Sequence, residues 1–75
     1  MTRRPSTLRP MVQAMDNARQ ALDHYARHQD PAAARNAGVA ARWALAHARP
    51  GLERRLACEL VEAVDAVEDV VDGAS

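Results

Sequence analysis

Between Pro10 and Gln29 the apolar residues Met11, Met15, Ala18, Leu22, Tyr25 and Ala26 recur three or four positions apart. At 100° per residue they close into one arc of about 100°, with Asp16, Gln20, Asp23, His24, Arg27 and His28 opposite, which predicts a helix with one buried face. Asp30-Pro31 then punctuates the chain. The residue before a proline avoids the helical region, aspartate is a favoured N-cap, and proline suits the first helical position, so a second helix is expected from 31. It runs to about residue 49, where Pro50-Gly51 forces another break. The pattern then resumes with Leu52, Leu56, Leu60, Ala63, Val64, Val67, Val70 and Val71. Valine favours sheets, but this spacing of three and four rather than two predicts a third helix, over about 51–72.

The expected fold is therefore all-α, with helices near 10–29, 31–49 and 51–72. Segments of this length, joined by very short connections, fit an up-down-up three-helix bundle or a helical dimer built from one. Residues 1–9, MTRRPSTLR, read as a short flexible basic arm before the single domain at 10–73.

The second helix raises the functional question. Ala33, Ala34, Ala37, Ala41, Ala44, Leu45 and Ala48 cover one side, short enough in side chain for a neighbouring helix to approach to about 8 Å. The other side carries Arg49, Arg42, Arg35, Val39, Trp43, Asn36 and His47 in angular order, with the arginines at seven-residue intervals. Two readings of Trp43 compete. In one, the third helix or a second protomer covers the ring and arginine stems pack on it. In the other, the arc is a partner-binding patch, because tryptophan and arginine are the side chains most enriched at interface hot spots.

Charge sharpens this picture. The 75 residues have a formal net charge of zero, yet residues 1–55 hold all ten basic side chains, every one an arginine, and residues 56–75 hold six acids and no base. Glu59, Glu62, Asp65, Glu68, Asp69 and Asp72 line the polar arc of the third helix with only Arg55 nearby in sequence. They are expected either to pair with the arginines of the second helix or to form a solvated face.

The chemistry-bearing residues do not assemble into a site. His24, His28, His47 and Cys58 could in principle make a zinc set, but the first two lie near one turn and the last two near the other, a helix length of ~25 Å away. Cys58 sits among acids that would raise a thiol pKa, and phosphate-binding loops and nucleophile–base arrangements are absent. An enzyme, a cofactor and a metal are not expected. The lone cysteine excludes an internal disulfide, and the lack of a leader or long apolar run points to a cytoplasmic chain with no membrane partner.

What remains is binding. A domain of this size gains only ~3–5 kcal/mol from a single core, so association is the expected route to stability. The leading expectation is a homodimeric module that binds another protein through Arg35, Asn36, Val39, Arg42, Trp43, His47 and Arg49, as an accessory regulator or adaptor. Two alternatives are a nucleic-acid binder using the arginine stripe and arm, and an acidic-helix inhibitor of a host protein. No motif covers enough of the chain to carry a family resemblance. A helix-turn-helix reading founders on the acidic outer face of the third helix, which would repel phosphates from the element that should enter the groove. Random duplex DNA is accordingly expected to show no submicromolar, salt-sensitive binding by fluorescence anisotropy; finding it would promote the nucleic-acid alternative.

Overall fold

The computed structural model describes residues 8–74, and the arm expected at 1–9 lies outside them except for its last two positions. Three helices make up the described chain: α1 (Leu8–His28), α2 (Pro31–His47) and α3 (Leu52–Ala74). They form an up-down-up bundle in which α2 packs against both neighbours, while α1 and α3 meet only locally. α2 is thus the middle of the structure.

Each boundary has a local cause. α1 begins two residues before Pro10, because a proline in the first helical turn sacrifices an N–H that has no acceptor within the helix. It ends at His28 because Gln29 takes a left-handed φ of 54°. From there the Gln29 amide donates to the carbonyl of Tyr25 at 2.6 Å. Asp30, extended at φ −83° and ψ 113°, caps α2 by accepting from the Ala32 amide at 3.0 Å. α2 stops at His47 rather than 49, since Ala48 is already extended (φ −72°, ψ 140°) and Arg49 precedes a proline. Gly51, at φ 109°, turns the chain into α3, and Glu53 reaches back to accept from the Arg49 amide at 3.3 Å.

The core joins Met11, Met15 and Ala18 of α1 to Ala37, Ala41 and Ala44 of α2 and to Ala57, Leu60 and Val64 of α3. It is built from small parts. Of the buried apolar residues among those described, only Met11, Met15, Leu60 and Val64 are larger than alanine, and Val64 is the largest side chain wholly withdrawn from solvent. By contrast Val12, Val39, Trp43, Leu52, Leu56 and Val70 stand exposed. More large apolar side chains face water than fill the core.

This revises the reading of α3. Its apolar positions span about 180° of the helix, too wide for one contact, and the structure divides them. Ala57, Leu60 and Val64 face inward, with Val61, Val67 and Val71 half-buried, whereas Leu52, Leu56, Ala63 and Val70 form a second, open stripe. On α1, Met11, Met15 and Ala18 are buried and Leu22 and Tyr25 half-buried as the periodicity implies, but Ala26 at the frayed end is exposed.

Two substitutions test the α1–α2 turn. Gln29→Gly removes a left-handed penalty of about 1–2 kcal/mol and adds chain entropy to the unfolded state, for an expected net gain of about 0.5–1 kcal/mol. Asp30→Ala removes the cap and is expected to cost about 1 kcal/mol. Urea melts of both variants should move in opposite directions; a shift in the same direction would mean the turn does not have this geometry in solution.

Candidate functional site

α2 displays Arg35, Asn36, Val39, Arg42, Trp43 and His47 on its outward side, Arg49 follows in the connection just beyond its end, and all seven are exposed. Because the alanine face is committed to α1 and α3, the 3.6-residue period sends these side chains the other way. They share a face but not a role.

Val39, Trp43 and His47 follow one another at i, i+4 and i+8. The rings of Trp43 and His47 lie 4.1 Å apart between centroids and are tilted by 38°. Trp43 keeps 40% of its surface in water and Val39 keeps 70%. The alternative in which α3 covers the tryptophan within one chain is therefore set aside. Its aromatic partner is His47. A tryptophan body lying on a helix surface beside an exposed valine is a contiguous apolar strip with a polar, ring-stacked end, which suits a partner's apolar surface better than it suits water.

The arginines divide differently. Arg42 Nη2 donates to Asp65 Oδ1 at 2.9 Å and to Glu68 Oε1 at 3.0 Å, so one guanidinium bridges two acids of α3. The hydrogen bond and charge of Glu68, followed by those of Asp65, raise the Arg42 pKa above its ordinary value in spite of the opposing effect of burial. A base whose folded pKa is raised contributes stability that is fully present below its unfolded pKa and is lost as pH rises through the folded one, so this arginine introduces no pH dependence near neutrality. Arg42 is thus a strut between helices. Arg35 and Arg49 project into solvent at either end of the strip, the Arg49 backbone being held by Glu53.

Gly38 explains how the strut fits, and sequence reasoning overlooked it. A Cβ there would lie 2.5 Å from Glu68 Oε1, 2.6 Å from Arg42 Nη1 and 3.3 Å from Val64 Cγ1. The glycine opens the pocket in which the ion pair crosses from α2 to α3. A signal was present: a mid-helix glycine costs ~1 kcal/mol against alanine and usually has a packing reason.

Comparison with protein-family models, curated proteins and solved structures finds no match to this chain. Function must be read from the faces themselves.

Among the described residues no group of three or more His, Cys, Asp or Glu side chains is placed to hold a metal ion. His24 and His28 stack on each other, with centroids 4.6 Å apart, at the exposed α1–α2 end, and His24 Nε2 lies 3.8 Å from Asp30 Oδ2. Cys58 is half-buried on α3. No described helix is long and apolar enough to cross a membrane.

The strut makes a quantitative prediction. Its side chains are half exposed or nearly so, apart from a more sheltered Glu68, so Arg42→Gln is expected to cost no more than about 1 kcal/mol. Gly38→Ala gains ~1 kcal/mol of helix propensity and displaces the flexible ends of Arg42 and Glu68, so its net effect should stay within about 1 kcal/mol of zero. Gly38→Val cannot be absorbed that way, because its added methyls meet the packed Val64 side chain, already 3.3 Å from a Cβ at this position, and it should destabilise by several times more. Denaturant melts showing Gly38→Val equal to Gly38→Ala would contradict the close approach of α2 and α3.

Proposed function

We propose that this chain is a small, non-enzymatic association module, which self-associates and presents the outer face of α2 to another protein. The observation that carries the reading is Trp43, left 40% exposed in the C-terminal half of the central helix, one turn from Val39 at 70%. Tryptophan is costly to leave in water and is the side chain most enriched among binding hot spots. Arg35 and Arg49 flank it as unburied cations, so the fitting partner offers an apolar pocket or groove with carboxylates at its rim. His47 stacks on one side of the indole and limits its rotamers, which lowers the entropy lost on docking.

The same geometry counts against the nucleic-acid alternative. Of the three arginines in the stripe, the central one is already engaged by Asp65 and Glu68, and those acids place negative charge beside any phosphate approaching α2. An inhibitor acting through acidic α3 would have to compete with the same bridge for two of its carboxylates.

Trp43→Ala tests the reading. With the ring already outside the core, helical content by circular dichroism should be retained and stability should fall by less than the ~3–5 kcal/mol of a buried tryptophan. Proteins captured by the wild-type chain from nuclease-treated lysate should be lost with Trp43→Ala and reduced with Arg35→Gln/Arg49→Gln. Capture that survives Trp43→Ala, or that disappears on nuclease treatment alone, would contradict the proposed face.

A further inference from the structure

The open stripe on α3 stands apart from the Trp43 face and has its own logic. Leu52, Leu56, Ala63 and Val70 lie within about 40° of one another at 100° per residue and run for ~27 Å along the helix. Leu52 is 68% exposed, Leu56 39% and Val70 61%. Ala66, one position round the helix, is exposed as well. With Leu56, Ala63 and Val70 at the a positions of a heptad, Leu52, Glu59, Ala66 and Gly73 fall at d, which is the pattern of a helix–helix seam.

We infer that α3 pairs antiparallel with α3 of a second copy of this chain, giving a two-fold dimer. The inference rests on the reading of the chain as an association module and supplies the surface and the geometry. The occupant is a second copy because the stripe is complementary to itself only when reversed. In an antiparallel register centred on position 61, Leu52 meets Val70 of the second copy, Leu56 meets Ala66, and Glu59 meets Ala63. Leu52 and Val70 cover each other at both ends, and in the two inner pairs a larger side chain faces an alanine, so the seam can close. The alanine opposite Glu59 leaves room for its stem to lie along the seam with the carboxylate in water.

Charge selects the same orientation. Arg54 and Arg55 lie at the start of α3, while Asp69 and Asp72 lie in its later half, and its last turn carries no base. A parallel pair would set Glu59 against Glu59 in the seam, arginines against arginines, acids against acids, and two helix dipoles side by side. The reversed pair brings exposed Arg55 beside exposed Asp69 of the second copy at both ends; neither side chain pairs with another described residue. Arg54 also approaches the negative end of the other helix. Glu62 then lies beside its own copy next to the two-fold axis with Glu59 of each chain close by, and this like-charge cluster is a reason for the pair to remain reversible.

Analytical ultracentrifugation of the full chain, from low to high micromolar concentration, tests this. The wild type should sediment as a dimer in reversible equilibrium with monomer. Leu52→Glu/Val70→Glu should be monomeric with unchanged circular dichroism, since both side chains are already exposed in the single chain. Arg55→Asp and Asp69→Arg should each weaken the dimer by about tenfold, and the two together should restore it, because only the reversed register exchanges the partners of that pair. Glu62→Gln should tighten it, and Trp43→Ala should leave it intact. A double charge swap no better than the single ones, or single swaps without effect, would overturn the antiparallel register. A dimer that survives Leu52→Glu/Val70→Glu but is lost with Trp43→Ala would overturn the α3 seam while leaving self-association in place. A monomer at every concentration would overturn the dimer, leaving the capture experiment with Trp43→Ala to decide whether the chain binds other proteins.

Discussion

The buried side chains on the inward face of α2 end at Cβ or before it. Ala33, Ala37, Ala41 and Ala44 are buried there, and Gly38 lacks even the Cβ that would strike the Arg42–Glu68 bridge. Helices can then approach to ~8 Å, at the short end of the usual range. This one constraint fixes much else. A thin seam needs few large core residues, so Met11, Met15, Leu60 and Val64 suffice to fill it. It also brings α3 near enough for Arg42 to span the gap, which a bulkier α2 face would prevent.

Close approach has a cost in apolar burial. An alanine contributes one methyl where a leucine contributes four heavy side-chain atoms, and at ~25 cal/mol per Å² the difference over such a core is several kcal/mol. Large apolar side chains that a thicker core would have absorbed are left on two outer faces, Val39 and Trp43 on α2 and Leu52, Leu56 and Val70 on α3. The account of function follows from this imbalance. The α3 stripe, whose apolar sizes and charges complement their own reversal, is taken to be filled by a second copy; the α2 strip, flanked by cations, is left for a partner of a different kind.

The helices and their breaks were legible because they rest on local signals: Asp30-Pro31, Pro50-Gly51 and apolar spacings of three and four. End positions shifted by two residues where the backbone chose its own dihedrals, at Leu8 before Pro10 and at Ala48 after His47. The outward face of α2 was also legible, since its alanines declare the inward one. Periodicity could not show which of two adjacent apolar stripes on α3 would be covered, because both fit a helix and only tertiary packing chooses between them. Nor could it single out Arg42 from Arg35 and Arg49, which share its angle; the choice depends on the register of α3, set by Gly38, Val64 and the geometry of the Ala48–Gly51 connection. Trp43 illustrates the same limit. Its neighbours on the helical wheel identified the arc, but only the packed chain shows that 40% of its surface stays open and that His47 is its ring partner.

If a core this thin is completed by association, folding and assembly share one equilibrium, and stability depends on how much protein is present. The melting temperature followed by circular dichroism as the concentration rises from about 1 to about 100 micromolar reads that linkage directly. The account predicts a steady upward shift, because mass action favours the assembled, folded state. A melting temperature that does not move across that range would contradict it, and would mean that the single chain, with its exposed faces, is stable by itself.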